Sequence, residues 1–142
     1  MMADDAGDFA RSMRIATSGL RAQAGRMRVL SENIANADST SPAAGGDPYR
    51  RKVPTFSSAL DRTLDAKVVA LGKVRTDTSA FRVKYEPSNP SADASGNVKY
   101  PNVNPLIEMT DMRDAQRSYE ANLNVIGATR RMIQRTLAIL TS

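Results

Sequence analysis

The chain contains no cysteine, no histidine and no tryptophan. Without cysteine there is no disulfide and no thiolate metal site. Without histidine the commonest neutral-pH general base and the commonest zinc ligand are both gone. Aromatic residues make up only 5%, so burial has to rely on Leu, Ile, Val, Met and Ala along helix faces. No apolar run reaches the roughly 18 residues a membrane-spanning helix needs. The start, Met1-Met2-Ala3-Asp4-Asp5, is acidic and has no apolar core, unlike a cleaved secretory signal. No phosphate-cradling glycine loop or nucleophile elbow occurs. Asp77, Glu86 and Asp93 lie in the middle of the chain without the arrangement of a hydrolase pair. The expectation is a protein that is not an enzyme, takes no cofactor or metal, and inserts in no membrane.

The net charge is +5. Acids and bases nevertheless alternate: Asp4, Asp5 and Asp8 precede Arg11 and Arg14, and Glu108, Asp111 and Asp114 intersperse with Arg113 and Arg117. Arg14, Arg21 and Arg28 recur every seven residues, the one trace of a basic stripe. The alternative reading is therefore a basic helical nucleic-acid binder or another coiled-coil interaction protein. No nucleic-acid reader motif accompanies the stripe, and the expectation is no nucleic-acid partner.

Apolar periodicity is strong at both ends. Phe9, Met13, Ala16, Leu20, Gln23, Met27, Leu30, Ile34 and Ala37 follow in alternating steps of four and three, a heptad seam with one polar break. Asp8 is a plausible N-cap for this helix. Met109, Met112, Gln116, Tyr119, Leu123, Ile126, Arg130, Ile133, Leu137 and Leu140 repeat the pattern. Asn104-Pro105 supplies its start, with Asn as cap and Pro in the first turn. Arg130 in this seam is costly unless its head escapes or pairs. Gly127 costs roughly 1 kcal/mol against Ala mid-helix, for which a close helix neighbour would compensate.

The middle differs. Residues 38–48 are rich in Ser, Pro, Gly and Asp and read as a loop. Residues 57–65 read as a short helix, residues 67–76 and 81–85 as strands, and residues 97–103 as extended. Phe81, Val83 and Tyr85 share one strand face, Arg82 and Lys84 the other.

The expected fold is mainly α: two long terminal helices pairing as an antiparallel coiled-coil-like hairpin around a small β-containing, loop-rich insert. The divisions are 9–37, 38–104 and 105–140, the two helices forming one structural unit. Two helices alone bury one stripe each, so a chain of this length needs partners to cover the rest. Candidates for an assembly interface are Leu20, Met27, Leu30, Ile34, Tyr119, Asn122, Leu123, Ile126, Ile133 and Leu137. Asn33 and Asn36, near the end of the first helix, either bond across subunits or cap the helix. Tyr49, Arg50 and Arg51 either dock the insert on a neighbour or form a solvated basic loop.

Four blocks carry a resemblance. Ser18-Gly19-Leu20-Arg21-Ala22-Gln23 with Ser31-Glu32-Asn33-Ile34-Ala35-Asn36-Ala37-Asp38-Ser39-Thr40 is similar to the N-terminal signature of flagellar axial proteins, the rod, hook and hook-associated subunits. Pro48-Tyr49-Arg50-Arg51-Lys52 and Tyr100-Pro101-Asn102-Val103-Asn104 resemble a proximal rod subunit within that group, as does Ala115-Gln116-Arg117-Ser118-Tyr119-Glu120-Ala121-Asn122. The resemblance implies a structural subunit of a hollow helical rod crossing the periplasm. Its implied partners are copies of itself, sister proximal rod proteins, the base adapter and the distal rod protein. It also implies passage through the flagellar type III export apparatus on an uncleaved N-terminal signal; Phe9 and Met13 either contribute to that signal or are ordinary residues of the helix seam. The motif match favours docking for Tyr49, Arg50 and Arg51.

Overall fold

The computed structural model describes residues 2–142, with side chains from residue 4 onward. Helix α1 runs Met2–Ala35 and helix α2 Pro105–Thr141. Between them lie six short strands: β1 Lys52–Val53, β2 Phe56–Asp61, β3 Ala66–Leu71, β4 Arg75–Thr76, β5 Arg82–Tyr85 and β6 Asn97–Tyr100. They form three antiparallel pairs, β1 with β4, β2 with β3 and β5 with β6. About half the chain is helical, so the expected class, two terminal helices around a β-containing insert, is the one observed. Among the described residues no helix is long and apolar enough to cross a membrane.

Helix α2 starts as its sequence dictates. Leu106 N–H donates to Asn104 Oδ1 at 3.1 Å and Glu108 N–H to Asn104 O at 3.1 Å. The Asn side chain satisfies one orphan donor of the first turn, and its carbonyl accepts the first intrahelical bond. Helix α1 instead begins upstream of the expected cap, and Asp8 sits inside it. Asp4 and Asp5 occupy the first turn, where they suit the positive end of the helix dipole. The segment read as a short helix at 57–65 is strand β2 and its turn. Its Ala59-Leu60-Leu64 spacing fits a helix locally, but cross-strand pairing of Phe56 with Leu71 and of Ser58 with Val69 decides the outcome.

The chain divides into two compact units. The first takes the chain up to Arg26, Thr55–Lys73 and α2 from Asp114 on. Here α1 and α2 run antiparallel. Gly19 faces Asn122 so closely that an added Cβ would lie 2.7 Å from the amide nitrogen, and Phe9 and Met13 share a groove with Ile133 and Leu137. Ala16, Ala22 and Ala115 are buried. The β2–β3 hairpin lies on α1, where Val69 N–H donates to Ser18 Oγ at 3.3 Å and Arg11 Nε to Leu64 O at 3.1 Å.

The second unit is Met27–Pro54 with Val74–Arg113. Its core is built from Val29, Leu30, Ala37, Val98, Pro101 and Val103. Arg82 stitches it by donating to Ala37 O at 2.8 Å and Pro101 O at 3.2 Å. Gly96 takes φ +83° in the turn before β6, and an added Cβ would meet the Tyr85 ring at 2.8 Å.

The seam of α1 falls as expected, with Ala16 and Leu30 buried and Phe9, Met13, Leu20, Gln23, Met27 and Ile34 half-buried; Ala37 is buried too, but in the turn after the helix, which ends at Ala35 and not at 37. The seam of α2 is shifted at every second position. Met112, Tyr119, Ile126 and Ile133 are covered as expected, but their companions are Glu108, Ala115, Asn122 and Thr129. Met109, Gln116, Leu123 and Arg130 are exposed. Small residues let the helices of the first unit approach closely, and the bulkier row is left outside. Arg130 therefore incurs no burial penalty.

Candidate assembly surface and its polar anchor

A buried polar cluster organises the second unit. Glu108 and Asn33 are both fully buried. Asn33 uses its whole hydrogen-bonding capacity: Nδ2 donates to Lys52 O at 2.8 Å and to Glu108 Oε2 at 3.0 Å, while Oδ1 accepts from Lys52 N–H at 2.9 Å and Tyr49 O–H at 2.8 Å. The other carboxylate oxygen of Glu108 accepts from Arg51 Nε, and Arg51 also faces Asp77 at 3.6 Å. Asn102 accepts from Arg51 N–H at 2.8 Å and donates to Asp77 O at 3.1 Å. An isolated buried carboxylate is prohibitively costly, whereas one with a guanidinium and an amide is tolerated.

The charges around this cluster are tuned by their partners. Burial alone would lower Arg51, but the Glu108 hydrogen bond and the surrounding carboxylates raise it overall. The Ser79 backbone N–H, its hydroxyl and then Arg51 hold Asp77 below the ordinary carboxylate range. Lys52 donates to Glu32 at 2.9 Å, which lowers the glutamate and raises the lysine. Desolvation pushes the Tyr49 phenol up.

Tyr49, Arg50 and Arg51 are thus engaged inside the chain. Tyr49 binds Asn33, Arg51 binds Glu108, and Arg50 stacks 4.1 Å over the Phe81 ring. Asn36 donates to Glu32 O at 2.8 Å and closes the end of α1. Leu30 is covered by its own chain. Asn122 rests on Gly19 and donates to Ser118 O at 3.0 Å. Leu20, Met27, Ile34, Tyr119, Ile126 and Ile133 are half-buried, and Leu123 and Leu137 are exposed. The sequence reading missed Glu108: an acid in the first turn of a helix looks sufficiently explained by the dipole.

Helix α2 exposes many large apolar side chains among its charged ones. Leu106, Ile107, Met109, Leu123, Val125, Met132, Leu137, Ile139 and Leu140 are all 46% to 76% exposed. Val125, Met132 and Ile139 recur every seven residues as a second row, distinct from the seam. That signal was present in the sequence and was masked by the stronger first seam. Exposed large apolar side chains repeating along one helix in this way point to protein–protein contact. Among the described residues no group of acids could hold a metal ion.

A family model described as "Flagella basal body rod protein" matches residues 13–41, and one described as "Flagellar basal body rod FlgEFG protein C-terminal" matches residues 94–139. The two segments hold most of the paired helices and include Asn33 and Glu108. This defines a structural, non-enzymatic subunit of the flagellar basal-body rod. The flagellar basal-body rod protein FlgC of Agrobacterium fabrum is 52% identical over 127 residues, 89% of this chain and 91% of that one. FlgC of Bacillus subtilis is 38% identical over 90% of this chain and 95% of its own, and FlgC of Aquifex aeolicus 36% identical over 91% and 95%. The chain belongs to the FlgC family of flagellar basal-body rod proteins. Its place is the basal body, and its associates are other components of the rod.

Proposed function

We propose that this chain builds the proximal part of the rod, in contact with copies of itself, sister proximal rod proteins, the base adapter and the distal rod protein. The observation that carries this reading is the apolar outer surface of α2, left without cover by its own chain. The helices, 9–37 and 105–140, pack into the wall of a hollow shaft, and the insert at 38–104 braces them. Lateral contacts of this sort are heterologous, so they propagate along a helical lattice instead of closing. Long helices suit torque transmission because their backbone hydrogen bonds are all internal.

Exposed Leu123 and Leu137, with half-buried Leu20, Met27, Ile34, Tyr119, Ile126 and Ile133, make direct contacts. Leu30, Asn33, Asn36, Asn122, Tyr49, Arg50 and Arg51 set the shape of the surface from within. Covering the exposed halves of the α2 apolar side chains contributes on the order of 5 kcal/mol per subunit before ordering costs. The subunit crosses the inner membrane through the flagellar type III export apparatus and reaches the periplasm with its N-terminal segment uncleaved, Phe9 and Met13 serving in the signal. Imaging basal bodies from a strain lacking the gene tests the assignment: the rod is absent or truncated at its base, and a complete rod contradicts it.

A further inference from the structure

The first unit carries two charged segments of opposite sign. At the start of α1 the only charged residues before Arg11 are Asp4, Asp5 and Asp8. In α2 the last acid is Glu120, and the only charged residues after it are Arg130, Arg131 and Arg135. Among the described residues the single ion pair these groups make is Asp8 with Arg11, at 3.5 Å between two exposed side chains. The helix dipole accounts for acids in the first turn of α1, but α2 has no base in its last turn. Its arginines lie further back, where the dipole has faded.

Each charged segment borders an apolar feature. Asp5 lies at the rim of an open groove of about 310 Å³, lined by Phe9 and Met13 of α1 and Ile133, Leu137 and Leu140 of α2. Leu137 and Leu140 are more than half exposed in it. Arg131 and Arg135 border the separate row Val125, Met132 and Ile139, which is 47%, 55% and 76% exposed.

We infer that the groove of one copy receives the Val125–Met132–Ile139 row of another, with Arg131 and Arg135 meeting the acidic rim. An amphipathic helix laid in a groove buries its apolar row and leaves the flanking charges to set partner and register. Groove and row are different surfaces of one chain, so the contact runs head to tail and stays open for the next copy. This rests on the rod reading and names the partner for one of its faces.

Sedimentation of the purified full chain tests it, with circular dichroism confirming helix content. The wild-type chain associates with concentration, more weakly at high salt. A chain with Asp4→Lys, Asp5→Lys and Asp8→Lys, and one with Arg130→Glu, Arg131→Glu and Arg135→Glu, each associate at least about tenfold more weakly. An equimolar mixture of the two recovers association, because each supplies the charge the other lost. Met132→Asp, on an exposed position, abolishes association without loss of helix. Recovery in a single chain carrying all six changes, but none in the mixture, shows the charges meeting within one chain and overturns the inference. So does a wild-type chain that stays monomeric at all concentrations. Either result leaves the rod assignment itself to the imaging of basal bodies.

Discussion

At the scale of residues, the second unit turns on Glu108, whose charge is tolerated in a buried site because Arg51 and Asn33 both bind it. Glu108→Ala leaves half-buried Arg51 with Asp77 as its one carboxylate and one Asn33 N–H without an acceptor, and the expected loss is about 2–3 kcal/mol in urea unfolding. Glu108→Gln keeps the amide bond and loses less. Asp77 makes stability depend on acidity. Its carboxyl is held below its unfolded value, chiefly by Ser79, so its contribution is present above about pH 4 and lost as pH falls through the folded value. Glu32 and Glu86 are lowered in the same sense. Asp77→Asn therefore reduces the acid limb of a stability–pH profile without abolishing it. Gly127 shows the opposite economy. The nearest atom to an added Cβ is Arg131 Nη1 of its own helix, at 3.5 Å, so no helix of the same chain compensates for it. Gly127→Ala should stabilise the isolated chain by roughly 1 kcal/mol, read as a raised melting temperature.

At the scale of elements, legibility followed locality. The start of α2 was written in Asn104-Pro105, and β5 in the alternation of Phe81, Val83 and Tyr85, because caps and pleats depend on neighbours in sequence. The β2–β3 hairpin was not legible, because its strand character comes from pairing with residues up to fifteen positions away. The phase of the α2 seam was half legible. Met, Leu and Ile score alike on either side of a heptad, and only what lies across from α2, such as Gly19 against Asn122, fixes the phase. The anchor was hidden for a different reason. Asn33, Tyr49 and Arg51 each fell in a recognised block and Glu108 between two of them, yet nothing local says that a buried carboxylate joins them. The hairpin is attached to α1 by few polar contacts, and β2 is exposed along most of its length. Its amides should exchange with deuterium faster than those of α1 residues 27–34.

At the scale of the whole molecule, burial is uneven. The largest fully buried side chains, Leu30, Glu108, Val98, Val103, Asn33 and Pro101, all belong to the second unit. The fully buried apolar residues of the first unit are alanines, Ala16, Ala22 and Ala115. A unit that buries so little large apolar surface of its own draws stability from what covers it. The missing cover on α2 is thus the central physical claim, and the absence of cysteine from the chain makes it directly measurable. Single cysteines at Leu123, Val125 or Ile139 are introduced in a motile strain and probed with a thiol reagent, both in the purified chain and in isolated basal bodies. All three should label rapidly in the purified chain and be protected in the basal body. Equal labelling in both would mean that nothing covers these faces in the rod, and would contradict the account.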